Sequence, residues 1–191
     1  MPTYRFCPQC GDELMTLPLS GRERLACAGH DCGFVHWDNP LPVLAAVVEY
    51  QDKLLLARNA AWREGMFALV TGFLERDETP EAGVARELKE ETNLDAESVA
   101  LIGVYEFMRK NELIIAYHVK ASGTIALSDE LAEYRLVAPE KMRIWNAGTG
   151  FAVADWLAAR GYPVRFFDRQ TGADIPDPRA ARAEADATTL Q

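Results

Sequence analysis

Three glutamates, Glu87, Glu90 and Glu91, stand in the run Arg86-Glu87-Leu88-Lys89-Glu90-Glu91. Residues three and four apart share one face of an α-helix, so this spacing gathers three carboxylates in one place. Each like-charged pair costs roughly a few tenths of a kcal/mol even on a solvated face. A hard divalent cation with oxygen ligands, Mg²⁺ or Mn²⁺, is the natural remedy. The residue types therefore point to metal-assisted chemistry on a phosphate-bearing substrate.

The flanking residues support the helix that this reading needs. Thr79-Pro80-Glu81 supplies an N-cap, a first-turn proline and a first-turn acid. Val84 and Leu88 form an apolar stripe that predicts a core-facing side. Asn93 falls where the helix should end, and asparagine tolerates the left-handed conformation of that position. Gly72 is expected to open a loop holding Arg76, Asp77 and Glu78, giving the order strand, loop, short helix, loop. A plain solvated acidic face would account for neither Gly72 nor the register of Glu78.

The stretch Gly72 to Leu94, GFLERDETPEAGVARELKEETNL, resembles the Nudix box, G-x5-E-x7-R-E-U-x-E-E-x-G-U, where U is a bulky aliphatic residue. Gly72, Glu78, Arg86, Glu87, Leu88, Glu90, Glu91 and Leu94 match in register. Asn93 replaces the late glycine, a mild change because both residues accept positive φ. The resemblance implies hydrolysis of the diphosphate bond in a nucleoside diphosphate linked to another moiety. It implies that Glu87, Glu90 and Glu91 hold the metal, with the carbonyl of Thr71 completing its shell. Arg86 would pair with a neighbouring acid such as Glu78 and hold the loop against the helix, a role that suits a bidentate guanidinium. Such proteins draw a further acid from outside the box. Glu130 is the first candidate for that added ligand or general base, with Glu133, Glu106 and Glu112 as alternatives. The other outcome is a Nudix-fold module that senses a nucleotide without turning it over. Degenerate versions of that kind should lose box acids, and this box keeps them all.

All four cysteines, Cys7, Cys10, Cys27 and Cys32, lie near the N-terminus. Cys7-Pro8-Gln9-Cys10-Gly11 forms a C-x2-C-G knuckle, and Cys27 with Cys32 makes a second, wider pair. Two such pairs predict a tetrahedral structural zinc ribbon. Cys27-x2-His30 is also ligand spacing, so a site of three cysteines and His30 is a second arrangement. His36 is read as an ordinary polar residue of the hinge. A reducing compartment argues against disulfides, and so short a segment needs the metal to fold.

A zinc ribbon followed by a Nudix domain is similar to the NADH pyrophosphatase branch. That branch carries a further signature, S-Q-P-W-P-F-P-x-S. Here the matching region reads Tyr105-Glu106-Phe107-Met108-Arg109-Lys110-Asn111-Glu112-Leu113, without the signature. NADH, ADP-ribose, FAD and nucleotide sugars are therefore all candidate substrates. Gly72, Phe73, Tyr105 and Phe107 are the expected substrate-binding residues, with Trp62 as another aromatic able to stack on a base.

The remaining chain predicts a mixed α/β (α+β) fold, a Nudix-type mixed sheet between helices preceded by the small ribbon. Residues 1–38 form the ribbon, 39–165 the Nudix domain and 166–191 a flexible surface extension, with a weak helix over Arg179 to Ala187. Asn39-Pro40-Leu41-Pro42 is a stiff boundary. Strands are expected at Val43–Tyr50, Lys53–Arg58, Phe67–Phe73, Val99–Met108, Leu113–Lys120 and Tyr134–Val137, and a helix at Gly150–Arg160. The net charge of −9 argues against general nucleic-acid binding, which needs clustered Lys and Arg. No apolar run suits a signal peptide or a membrane span, which predicts a cytoplasmic protein. Because Nudix domains often pair, a homodimer is the expected assembly if one forms.

Overall fold

The computed structural model describes residues 4–29 and 31–180 of the 191-residue chain. The candidate ligand His30 and the end of the weak C-terminal helix lie outside the described residues. The chain divides into two compact units, Met1–Pro40 and Leu41–Gln191.

In the first unit, strands β1 (Leu14–Leu19), β2 (Arg22–Cys27) and β3 (Val35–His36) form an antiparallel sheet in that order. A two-residue turn, Ser20 (φ 51°) and Gly21 (φ 76°), joins β1 to β2. Left-handed conformations at both central positions match the twist of a tight hairpin. Among its described residues the buried apolar ones are Cys7, Leu14 and Ala26, a very small core.

The second unit opens with β4 (Leu41–Tyr50) and β5 (Lys53–Asn59), joined by Gln51 (φ 51°) and Asp52 (φ 58°). There follow β6 (Val70–Phe73), helix α1 (Pro80–Thr92), β7 (Asp95–Phe107), β8 (Glu112–Ser122) and β9 (Leu131–Val137). The last elements are β10 (Ile144–Trp145), helix α2 (Thr149–Ala158), β11 (Phe166–Phe167) and β12 (Asp174–Ile175). The main sheet has the order β7-β8-β4-β5-β9, with β6 also paired to β4. It is mixed: β4 and β8 run parallel, while the other pairs are antiparallel.

Strand β4 is buried on both sides, which its unbroken apolar run requires. Val43, Ala45 and Val47 pack in one core with Ala152, Val153 and Leu157 of α2. Leu44, Ala46 and Val48 pack in the other with Val84 and Leu88 of α1. The two helices thus cover opposite faces of one sheet. Among its polar residues, buried His118 accepts at Nδ1 from Arg160 at 3.2 Å, since a guanidinium only donates. Its Nε2 therefore donates to Glu49, 2.8 Å away.

Two expectations change. Gly72 lies within β6, opposite Leu44 of β4, and does not open a loop. The segment from Phe166 is built into the second unit as far as it is described. Phe166 is 2% exposed, β11 pairs in parallel with β10, and β12 pairs with β11. Arg179 binds Asp177 and reaches Asp155 of α2, so burial of an aromatic ring and a guanidinium clamp fasten what composition marked as an extension.

Candidate active site

The acids of α1 are placed by the helix ends and by its buried stripe. Thr79, extended at φ −80° and ψ 153°, accepts from the Ala82 N–H at 3.2 Å. Asn93 closes the helix at φ 61°, its N–H bonding to the carbonyl of Lys89. Val84 and Leu88 are 1% and 0% exposed, which fixes the rotation of the helix against the sheet. Gly83 lets it approach closely: a Cβ there would stand 2.5 Å from Leu44 Cδ1 and 2.7 Å from Glu78 Oε1.

Arg86 organises the acidic face. It makes a bidentate pair with Glu78, at 3.1 Å through Nε and 2.8 Å through Nη2. Nη1 donates to Glu87 at 2.8 Å and to Glu90 at 3.0 Å, and Nη2 also reaches the carbonyl of Phe73 at 3.2 Å. The Arg86 hydrogen bonds hold the Glu78 carboxyl down at about 2, aided by the Glu75 N–H. Glu78 in turn raises the Arg86 guanidinium further above its usual range. The carboxylate of Glu87 lies over Gly72, in the space that any Cβ there would occupy. That contact is the physical reason for glycine at this position of β6.

Glu91 is different: it is 9% exposed and makes no bond to Arg86. Burial, then the charges of Glu87, Glu130 and Glu90, push its carboxyl up to about 7. The pairing of β4 explains the cavity it faces. Val43–Ala46 of β4 pair with β6, whereas Val48–Tyr50 pair with β5 on the same side. Where β5 and β6 part, a small pocket of about 80 Å³ is lined by Asn59, Trp62, Thr71, Glu91 and Glu130 among others. Thus Thr71, Glu91 and Glu130, distant in sequence, meet in one place.

Thr71 and Trp62 also border a larger cleft of about 610 Å³. Phe107 lines it too, while Gly72, Phe73 and Tyr105 do not. Phe73 is 53% exposed and offers its carbonyl to Arg86, and the Tyr105 hydroxyl donates to Asp155 at 2.8 Å. Tyr105 shares a face of β7 with Phe107 and packs against the α2 core, where its bond to Asp155 ties it to the helix. The alternative acids have partners of their own: Glu133 pairs with Arg58 at 3.4 Å and Glu112 with Lys110 at 3.7 Å. Sequence reasoning missed Trp145, Arg109, Lys110 and Arg169, which line the same cleft. Arg109-Lys110 reads only as a polar turn, and Arg169 falls in the segment taken for an extension, so neither carried a signal.

In the first unit, Cys7, Cys10, Cys27 and Cys32 place their Sγ atoms within 4.8 Å of one another. Cys7 and Cys32 are 3.6 Å apart and Cys10 and Cys27 3.4 Å, all as free thiols. A tetrahedral zinc with bonds of about 2.3 Å spaces its sulfurs at about 3.8 Å, so the four fit such an ion. The N–H groups of Gln9 and Gly29 point at the sulfurs of Cys7 and Cys27 at 3.4 and 3.3 Å.

The NUDIX domain family matches residues 39–157, more than half of the chain. The "NAD-capped RNA hydrolase NudC" of Vibrio cholerae is 30% identical over 181 residues, covering 93% of this chain and 61% of that protein. The Mycobacterium tuberculosis protein of the same name is 32% identical over 120 residues, covering 61% of this chain and 37% of its own. This chain therefore spans less than two thirds of these relatives. A crystal structure of a Nudix hydrolase from Nitrosomonas europaea shares the fold, with a TM-score of 0.70 at 24% identity over 87% of this chain and 100% of that one. With the box acids, the mixed sheet between two helices and these likenesses together, the chain belongs to the Nudix family.

Proposed function

We propose that this protein hydrolyses the diphosphate bond of a nucleoside diphosphate linked to another moiety, with Mg²⁺ or Mn²⁺ as its cofactor. The observation that carries the reading is Glu91, whose burial, and then the charges of Glu87, Glu130 and Glu90 beside it, raise its carboxyl to about 7. Such a concentration of negative charge fits a bound divalent cation and costs free energy without one. Glu87, Glu90, Glu91 and the Thr71 carbonyl would hold the metal, with Glu130 completing the set. When bound, such an ion neutralises charge on the diphosphate oxygens. Arg86 and Glu78 hold the acidic face against β6 and keep Glu87 over Gly72. Glu130, across the pocket, is the acid we assign to accept the proton of the attacking water as the bridging P–O bond breaks. Trp62 and Phe107 line the cleft beside it and offer faces for a base.

We put NAD-type dinucleotides first among the substrates, ahead of ADP-ribose, FAD and nucleotide sugars, a choice supported by likeness to relatives named NAD-capped RNA hydrolase. We propose a structural Zn²⁺ in the first unit, which the fit of the four thiols supports. Among the described residues no helix is long and apolar enough to cross a membrane. The test is a substrate panel with Mg²⁺ or Mn²⁺ and identified products. Release of a nucleoside monophosphate is expected. Binding across the panel without cleavage would overturn hydrolysis in favour of a sensing role.

A further inference from the structure

Arg109 and Arg169 reach the same cleft from separate parts of the chain, the turn after β7 and the turn after β11. Arg109 lies over the Phe107 ring, 5.5 Å from its centroid, and Arg169 over the Trp145 ring at 5.1 Å. Arg169 also donates to the carbonyl of Phe67 at 3.2 Å, which pins the guanidinium in place. Both aromatic rings line the cleft.

Among the described residues, neither guanidinium makes an ion pair. The nearby acids are engaged elsewhere. Glu112 pairs with Lys110 at 3.7 Å. Asp168 Oδ1 accepts from the N–H groups of Gln170 at 3.0 Å and Thr171 at 2.8 Å, and from Thr171 Oγ1 at 3.0 Å. Burial, then the neighbouring Arg109 cation, lowers the Arg169 pKa, as crowding of like charges requires. Among the described residues, the cleft lining carries three cations, Arg109, Lys110 and Arg169, against two acids, Glu112 and Asp168, an excess that stands out in a chain of net charge −9.

Their position constrains the ligand. The acid pocket, bordered by Thr71 and Trp62 on the cleft's edge, would take the diphosphate, and neither arginine lines it. The exposed Trp62 ring, with Phe107 beside Arg109, would take the base, while Trp145 is buried and serves only to seat Arg169. Ribose joins base to diphosphate, so an anion between the guanidiniums belongs on the sugar. Two forked donors suit a phosphate well. We propose that Arg109 and Arg169 bind a phosphate monoester on the ribose of the substrate, so that 2′- or 3′-phosphorylated nucleoside diphosphate derivatives are preferred. This rests on the hydrolase reading and narrows its substrate class.

The test compares kcat/KM within matched pairs: NADPH with NADH, coenzyme A with its dephospho form, and 2′-phospho-ADP-ribose with ADP-ribose. At least one phosphorylated member should be favoured by about 10- to 100-fold, the effect expected of charge-assisted bonds. Arg109→Ala and Arg169→Ala should each pull that ratio toward one. Ratios near one in the wild type, or equal losses for both members of a pair, would overturn the subsite. Calorimetric binding of adenosine 2′,5′- and 3′,5′-bisphosphate against AMP, in magnesium-free buffer, reads the subsite apart from turnover. Tighter binding of a bisphosphate, lost in Arg169→Ala, sustains it even if nothing is cleaved. Equal binding of all three, or a preference for the 3′-linked dinucleotide pApA over both bisphosphates, rejects the monoester.

Discussion

At Glu91 two demands oppose each other. The fold buries the side chain, and the proposed chemistry needs it charged. Its carboxyl is raised from 4.5 to about 7, so between those values the folded chain holds a proton that the unfolded chain has lost. The magnesium-free protein should therefore lose stability as pH rises from about 4.5 to about 7 and then level off. Glu91→Gln should flatten that slope and stabilise the magnesium-free protein at pH 8 by about 1–2 kcal/mol, a figure reduced for partial solvation. The same variant should lower kcat by roughly two to four orders of magnitude. Urea titrations across pH and turnover assays check the two halves separately. A neutral glutamine that left activity near wild type would remove Glu91 from the mechanism. Gly72→Ala tests the other close contact, because its new methyl group occupies the space of the Glu87 carboxylate. The Glu87 carboxylate is the end of a flexible side chain and can swing aside by giving up its bond to Arg86, so the variant should cost only about 1 kcal/mol of stability but most of the activity. The three acids and Arg86 were legible because helix spacing is local. The isolation of Glu91 from Arg86 was not, because it depends on how deeply α1 sits against the sheet.

Helix α1 is set by its ends. Thr79 and Asn93 were readable because capping depends only on immediate neighbours. Thr79→Ala removes the bond to Ala82 and should lower stability by about 1 kcal/mol, seen as a drop of a few degrees in Tm. Asn93→Gly should change stability by less than about 0.5 kcal/mol, because the left-handed cap at φ 61° favours either residue. A large loss there would mean that the Asn93 side chain, which donates to the carbonyl of Thr124 at 3.1 Å, matters more than the cap. The strands are legible in kind but not in extent. β7 begins at Asp95, earlier than its apolar run, because pairing with β8 extends it through a polar stretch. β6 carries a glycine within a strand because the helix acid, and not the strand, determines that residue.

At the scale of the whole molecule, two units rest on different physics. The second has two apolar cores, one on each face of β4. The first, among its described residues, buries little beyond Cys7, Leu14 and Ala26 and would depend on the proposed zinc. Displacing zinc with a mercurial should collapse the dispersed NMR signals of residues 4–40 while those of the main sheet persist. Retention of a native spectrum in the first unit without metal would contradict a structural ion. The amino-acid sequence alone determined the family, the acidic helix with both caps, and the four thiols. Each is written in spacings that a single turn, hairpin or knuckle converts directly into geometry. Only the tertiary structure decided that Glu130 and Thr71 meet Glu91, that Tyr105 turns away from the cleft, and that Arg169 enters it from a segment expected to lie loose. Those contacts join residues from different strands and turns. They follow from how β4 divides its pairing between β5 and β6, and from the burial of Phe166, choices made by the packing of the whole sheet.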